Sequence, residues 1–202
     1  MLSATAVEEK QLPTQFDMPS YGEMAFMFSE LISSKVKDST AAKDENREEL
    51  QKELTFLTRE WRQQEVTNRI ASVKNISGPE VGEKIASRLK LLRAELKEEE
   101  GKDADISPES LRALQLFMQT VGKVRPPEIT LTPEAEVYLR WKSGRDHLFA
   151  VHLVNGRMVR YVIFAPNPRH SGFVRRFSGI ETSDTVLETA RYIFPNLDWI
   201  KE

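Results

Sequence analysis

The sequence predicts an α+β protein. An N-terminal helical region, with a long antiparallel helical hairpin and flanking helices, precedes a small antiparallel β-meander domain with a C-terminal helix. Three observations carry this. Apolar residues recur at spacings of three and four as far as residue 121. The pair Pro126-Pro127 then stops the helical pattern, because the residue before a proline is pushed out of the helical region. Beyond it, short runs rich in Val, Ile, Tyr, Phe and Trp alternate with polar residues, as half-buried strands do.

The elements follow in order. Residues 1–20 are polar and punctuated by Pro13 and Pro19, so they read as a flexible arm. Met24, Phe28 and Leu31 place a short apolar helix over 21–37. Leu50, Leu54, Leu57 and Trp61 define the stripe of a charged helix expected over 41–65. Asn75, Ser77 and Gly78 break the chain, and Pro79 suits the first turn of the next helix. That helix carries Ile85, Leu89, Leu92 and Leu96, and Gly101 stops it. The two stripes share one spacing, which makes a hairpin the simplest arrangement; the same seams could build a dimer. Ser107 caps a further helix that starts at Pro108 and presents Leu111, Leu114, Met118 and Val121. Strands are expected at 129–132, 136–142, 147–154, 157–164 and 173–178, and a final helix at 184–193. The domains expected are the arm at 1–20, a helical domain at 21–125 and a β-sheet domain at 126–202.

Turn chemistry fixes a strand register. Asn155-Gly156 is a strong signal for a two-residue type I′ hairpin. It would pair His152 with Val159, Ala150 with Tyr161 and Leu148 with Ile163. A four-residue turn at 143–146 would pair Trp141 with Leu148, Leu139 with Ala150 and Val137 with His152. The core face would then hold Val137, Leu139, Trp141, Leu148, Ala150, His152, Val159, Tyr161 and Ile163. The opposite face would carry Tyr138, Arg140, Phe149, Val151, Arg160 and Val162. That mixture is too apolar for an idle solvent face and too basic for a second core.

Composition narrows the function. The formal net charge is −2, so no global field draws the chain to nucleic acid or an acidic membrane. Residues 126–202 carry 10 basic and 9 acidic side chains, so any basic site there is a local patch. The chain has no cysteine, which excludes disulfides, thiolate metal sites and cysteine nucleophiles. Its first residues, MLSATAVEEKQLP, lack the basic and apolar regions of a signal peptide. A cytoplasmic location is expected, with no membrane association.

No catalytic motif is present. There is no Gly-rich phosphate loop or nucleophile elbow. The three histidines, His147, His152 and His170, do not share metal-ligand spacing, and no cofactor or metal is expected. The expected function is a non-enzymatic, cytosolic protein-interaction role of the antitoxin, immunity or assembly-accessory kind. Tyr138, Arg140, Phe149 and Arg160 would meet a protein partner, because interfaces favour Arg and aromatic side chains. Self-association through the helical region is the companion expectation. The first alternative is nucleic-acid binding by Arg157, Arg169, His170, Arg175 and Arg176, with Phe173 and Phe177 interleaved. The second is a hydrolase or nuclease centred on His147 and His170.

Overall fold

The structure is a computed structural model. It describes residues 44–76, 78–167, 169–170, 172–193 and 200, with side-chain burial given from residue 51 onward. The expected arm at 1–20 and apolar helix at 21–37 lie outside the described residues. The chain divides into two compact units, Met1–Glu53 and Leu54–Glu202. The first is described only at residues 44–53, which are helical.

Three helices precede the sheet: α1 (Asp44–Val73), α2 (Pro79–Glu100) and α3 (Pro108–Val121). Five strands follow: β1 (Glu128–Leu131), β2 (Val137–Ser143), β3 (His147–Leu153), β4 (Met158–Pro166) and β5 (Val174–Thr182). A last helix, α4 (Thr185–Ile193), closes the described elements. The strands form one antiparallel sheet in the order β1-β2-β3-β4-β5. The fold class is α+β, as the sequence predicts.

α1 departs from expectation at its end. It does not stop near residue 65 but runs on to Val73. Val66, Ile70 and Val73 are buried, and Val81, Ile85 and Leu89 of α2 belong to the same cluster. Burial of three β-branched residues outweighs their weak helix propensity. Phe56 and Leu57, by contrast, are about half exposed, at 55% and 46%. A hydrogen bond from Arg93 to Thr67 joins α2 to α1, and Lys74, in the turn after α1, bonds Glu83 of α2. Arg93 also grips the buried Asp105 carboxylate at 2.8 and 2.7 Å, and Asp105 accepts the Ile106 N–H. α2 and α3 begin and end where the prolines and glycines place them. Ser107 Oγ accepts the Ser110 N–H, Pro108 opens α3, and Gly122 (φ 72°) follows its last turn.

The core lies on one face of the sheet. Val137, Leu139, Trp141, Phe149, Val151, Leu153, Val159, Tyr161 and Ile163 are buried there with Leu111, Leu114, Phe117 and Met118 of α3 and Val186, Leu187 and Ala190 of α4. Ser110 locks α3 to the sheet. Its hydroxyl donates to the Leu153 carbonyl at 2.6 Å and accepts the Val137 N–H at 2.7 Å. One hydrophobic cluster extends from Val66 to Ile200, on both sides of Pro126.

The faces of β2 and β4 agree with expectation, and that of β3 is reversed. The observed pairs are Leu153 with Val159, Val151 with Tyr161 and Phe149 with Ile163. Leu139 pairs with Val151 and Trp141 with Phe149. Both hairpins differ from the expected ones by one residue, so Phe149 and Val151 turn to the helix-bearing face while Leu148, Ala150 and His152 turn to the other, where Ala150 is still fully buried among its neighbours. The turns explain the shift. Neither Asn155 nor Gly156 has positive φ, so no type I′ turn forms there. Instead the Met158 N–H bonds to the Asn155 carbonyl at 3.0 Å, closing a wider turn. That turn sits beside α3: a Cβ added to Gly156 would lie 3.4 Å from Glu109 Oε2 and 3.6 Å from Arg112 Cδ. In the first hairpin Ser143 pairs with His147, leaving the three residues 144–146, with Gly144 at φ 64°.

Packing favours this outcome. The observed register buries Phe, Val and Leu; the expected one would bury Leu, Ala and His. Each large apolar side chain gains about 1.5–3 kcal/mol on full burial. A buried imidazole without a partner costs energy instead.

Candidate functional site

The second face of the sheet is built from alternate residues of all five strands. Cross-strand rows define it. One row reads Lys142, Leu148, Phe164, Arg176. The next reads Glu128, Arg140, Ala150, Val162, Ser178. A third reads Thr130, Tyr138, His152, Arg160, Ile180. Leu148, Ala150, Val162 and Phe164 thus form an apolar centre, edged on the last strand by Ile180, which is 60% exposed. The described helices α3 and α4 pack on the other face, and on this one Leu148, Val162 and Phe164 are half-buried.

One ion pair and one histidine–carboxylate hydrogen bond organise it. Arg140 donates to both Glu128 oxygens, with contacts of 2.9, 2.7 and 2.6 Å. The hydrogen bonds to Glu128, then its charge, hold the Arg140 guanidinium above its ordinary pKa. His152 Nε2 lies 2.7 Å from Glu136 Oε2, and its ring is 6.3 Å from that of Tyr138. Glu134 lies near the same end. Its carboxyl is held below the usual range, first by its own backbone N–H, then by Thr132, with His152 and Arg160 contributing less. Lys142, Arg160 and Arg176 are exposed. Among the described residues none of these three has a carboxylate within ion-pair distance.

The four residues expected to meet a protein separate into two groups. Tyr138, Arg140 and Arg160 share the second face, as placed from sequence. Phe149 does not. It is fully buried and stacks on Trp141 with centroids 5.6 Å apart. His152 moves the other way, from the expected core to the second face, where it is half-buried. Leu148 and Phe164, which shape the apolar centre, escaped the sequence reasoning because the assumed turn put Leu148 inside and ended β4 near Phe164.

The arginine cluster is divided. Arg157 lies just before β4, while Arg169 and His170 lie beyond its far end. Nine residues of strand span about 27 Å. Arg175 and Arg176 are adjacent on β5 and so point to opposite faces. Arg175 sits over Phe177, 5.4 Å from the ring centroid. His147 opens β3, and His170 lies in the β4–β5 connection with its ring 6.3 Å from that of Phe173. Among the described residues, no three His, Asp or Glu side chains gather as a metal site would need, and no helix is long and apolar enough to cross a membrane. Comparison with known protein families, curated proteins and solved structures finds no match.

Proposed function

We propose that this chain is a non-enzymatic protein-interaction protein, acting in the cytoplasm, that docks a protein partner on the second face of its sheet. The observation supporting this is the character of that face: a half-buried apolar centre at Leu148, Val162 and Phe164, with the exposed Lys142, Arg160 and Arg176 around it, while α3 and α4 pack on the other face. Isolated apolar side chains on a surface are ordinary, but a contiguous group ringed by polar residues favours association. The fitting partner presents aliphatic side chains flanked by carboxylates. Tyr138 adds an aromatic contact with a polar tip, and the Glu128–Arg140 pair stiffens the rim. An antitoxin, immunity or assembly-accessory role fits such a platform. Nucleic acid is a less supported partner, because Arg157 stands apart from the other arginines and Arg175 and Arg176 diverge.

The test is a comparison of captured proteins from the native host. Arg160→Glu combined with Ile180→Asp alters two exposed side chains of the face. A partner retained by the unaltered chain should be lost by this variant while the unfolding midpoint stays within the usual small range for surface changes, about 0.5 kcal/mol. Equal retention by both would refute the docking face. Capture of nucleic acid that weakens steeply with salt would favour the arginine cluster instead.

A further inference from the structure

The two edges of the sheet are unlike. β1 is four residues long, lies between Pro127 and Pro133, and has its Ile129 carbonyl bonded by Arg88 of α2 at 3.3 Å. β5 is nine residues long, and its pairing with β4 runs without a bulge from Val174 to Thr182. It contains no proline or lysine. Phe173 and Val174, at its start, are 70% and 42% exposed. Proteins commonly blunt such edges, and a long bare one is a template for another strand.

We infer that β5 pairs with β5 of a second copy, antiparallel and centred on Ser178, so that two sheets join into one. The strand is self-complementary about that centre. With Ser178 opposite itself, Arg175 falls opposite the second copy's Glu181, and Phe177 opposite its Gly179. Directly opposed residues share a face, so both pairs lie on the helix-bearing side. Each symmetric contact occurs twice. Arg175 and Glu181 bring opposite charges together, and the Glu181 carboxylate, already bonded by Tyr161 at 3.1 Å and Thr189 at 2.8 Å, retains acceptor capacity. Gly179 leaves a gap in the strand. A Cβ there would lie 2.8 Å from the Tyr161 hydroxyl, so the Tyr161 ring already leans over it from within the chain. The second copy's Phe177 would cover the same gap from outside, and the two rings would meet above the glycine. A shift by one residue would set Arg175 of one copy against Ile180 of the other and lose both pairs. This assembly differs from self-association through the helices, and it does not depend on what docks on the second face.

The absence of native cysteine makes the test clean. Two-fold pairing brings the Ser178 Cα atoms to about 4.5–5.5 Å, within reach of a disulfide. Ser178→Cys should form a cross-linked dimer under mild oxidant far faster than Thr130→Cys, an exposed position on the other edge. Sedimentation of the full chain should show a dimer. Arg175→Glu, which sets like charges opposite each other twice, should weaken it about tenfold while circular dichroism stays unchanged. A monomer at every concentration would overturn the inference. So would equal cross-linking at residues 178 and 130, or a dimer insensitive to Arg175→Glu.

Discussion

Ser110 and Tyr161 show how much single polar groups contribute here. Ser110 is fully buried and satisfies two backbone groups of different strands. Ser110→Ala would leave the Val137 N–H and the Leu153 carbonyl without their side-chain partner. The expected cost is about 2–3 kcal/mol in urea unfolding, and a cost below about 0.5 kcal/mol would show that other groups replace the hydroxyl. Nothing in the sequence marks Ser110, since a serine at the third position of a helix reads as ordinary. Tyr161 is held above its ordinary pKa, mainly by burial and then by its hydrogen bond to Glu181 and that group's charge. A raised pKa in the folded state means that folding favours the protonated phenol. The stabilisation is full below the unfolded value of about 10 and is lost as pH rises through the folded value. Stability should therefore fall as pH rises above about 10, and less steeply in Tyr161→Phe. Equal slopes for the two proteins would contradict this.

Helices and strands were legible in the sequence to different degrees. α2 and α3 have proline starts, glycine stops and a regular stripe, so pattern and packing agree. The C-terminal part of α1 was hidden because Val66, Thr67 and Asn68 read as weak helix, and only contact with α2 explains their state. That contact is close. A Cβ on Gly82 would overlap the Lys74 carbonyl oxygen. Gly82→Ala must push the end of α1 away from α2. The expected loss is about 1–3 kcal/mol, measurable as a lower thermal midpoint, and an unchanged midpoint would mean the two helices are not held at this distance. For the strands, the period of two was visible, but their phase depended on the turns. Asn155-Gly156 argued locally for a tight hairpin. The alternation within HLFAVHL argued for burying Phe149, Val151 and Leu153, and packing prevailed. A comparison of the two faces by apolar volume would have found the register and moved His152 and Leu148 to the second face.

In the unit from Leu54 to Glu202, one core joins helices and sheet. Pro126-Pro127 marks a change of element there, and the buried cluster passes across it. The helices beside the sheet complete the face that carries Trp141 and Phe149. The other face keeps Tyr138, Arg140 and Arg160, which the sequence had already set apart, and gains Leu148, Phe164 and His152. The proposed docking function requires that this face be accessible in the whole chain. Thiol labelling tests it most directly, again because the chain has no cysteine. Val162→Cys lies on the docking face and Val151→Cys on the core face, on the adjacent central strands β4 and β3. Labelling at residue 162 should outpace that at residue 151 by about a hundredfold, because the core position reacts only through opening of the fold. Similar protection at both positions would mean that the docking face is covered, and would contradict the account.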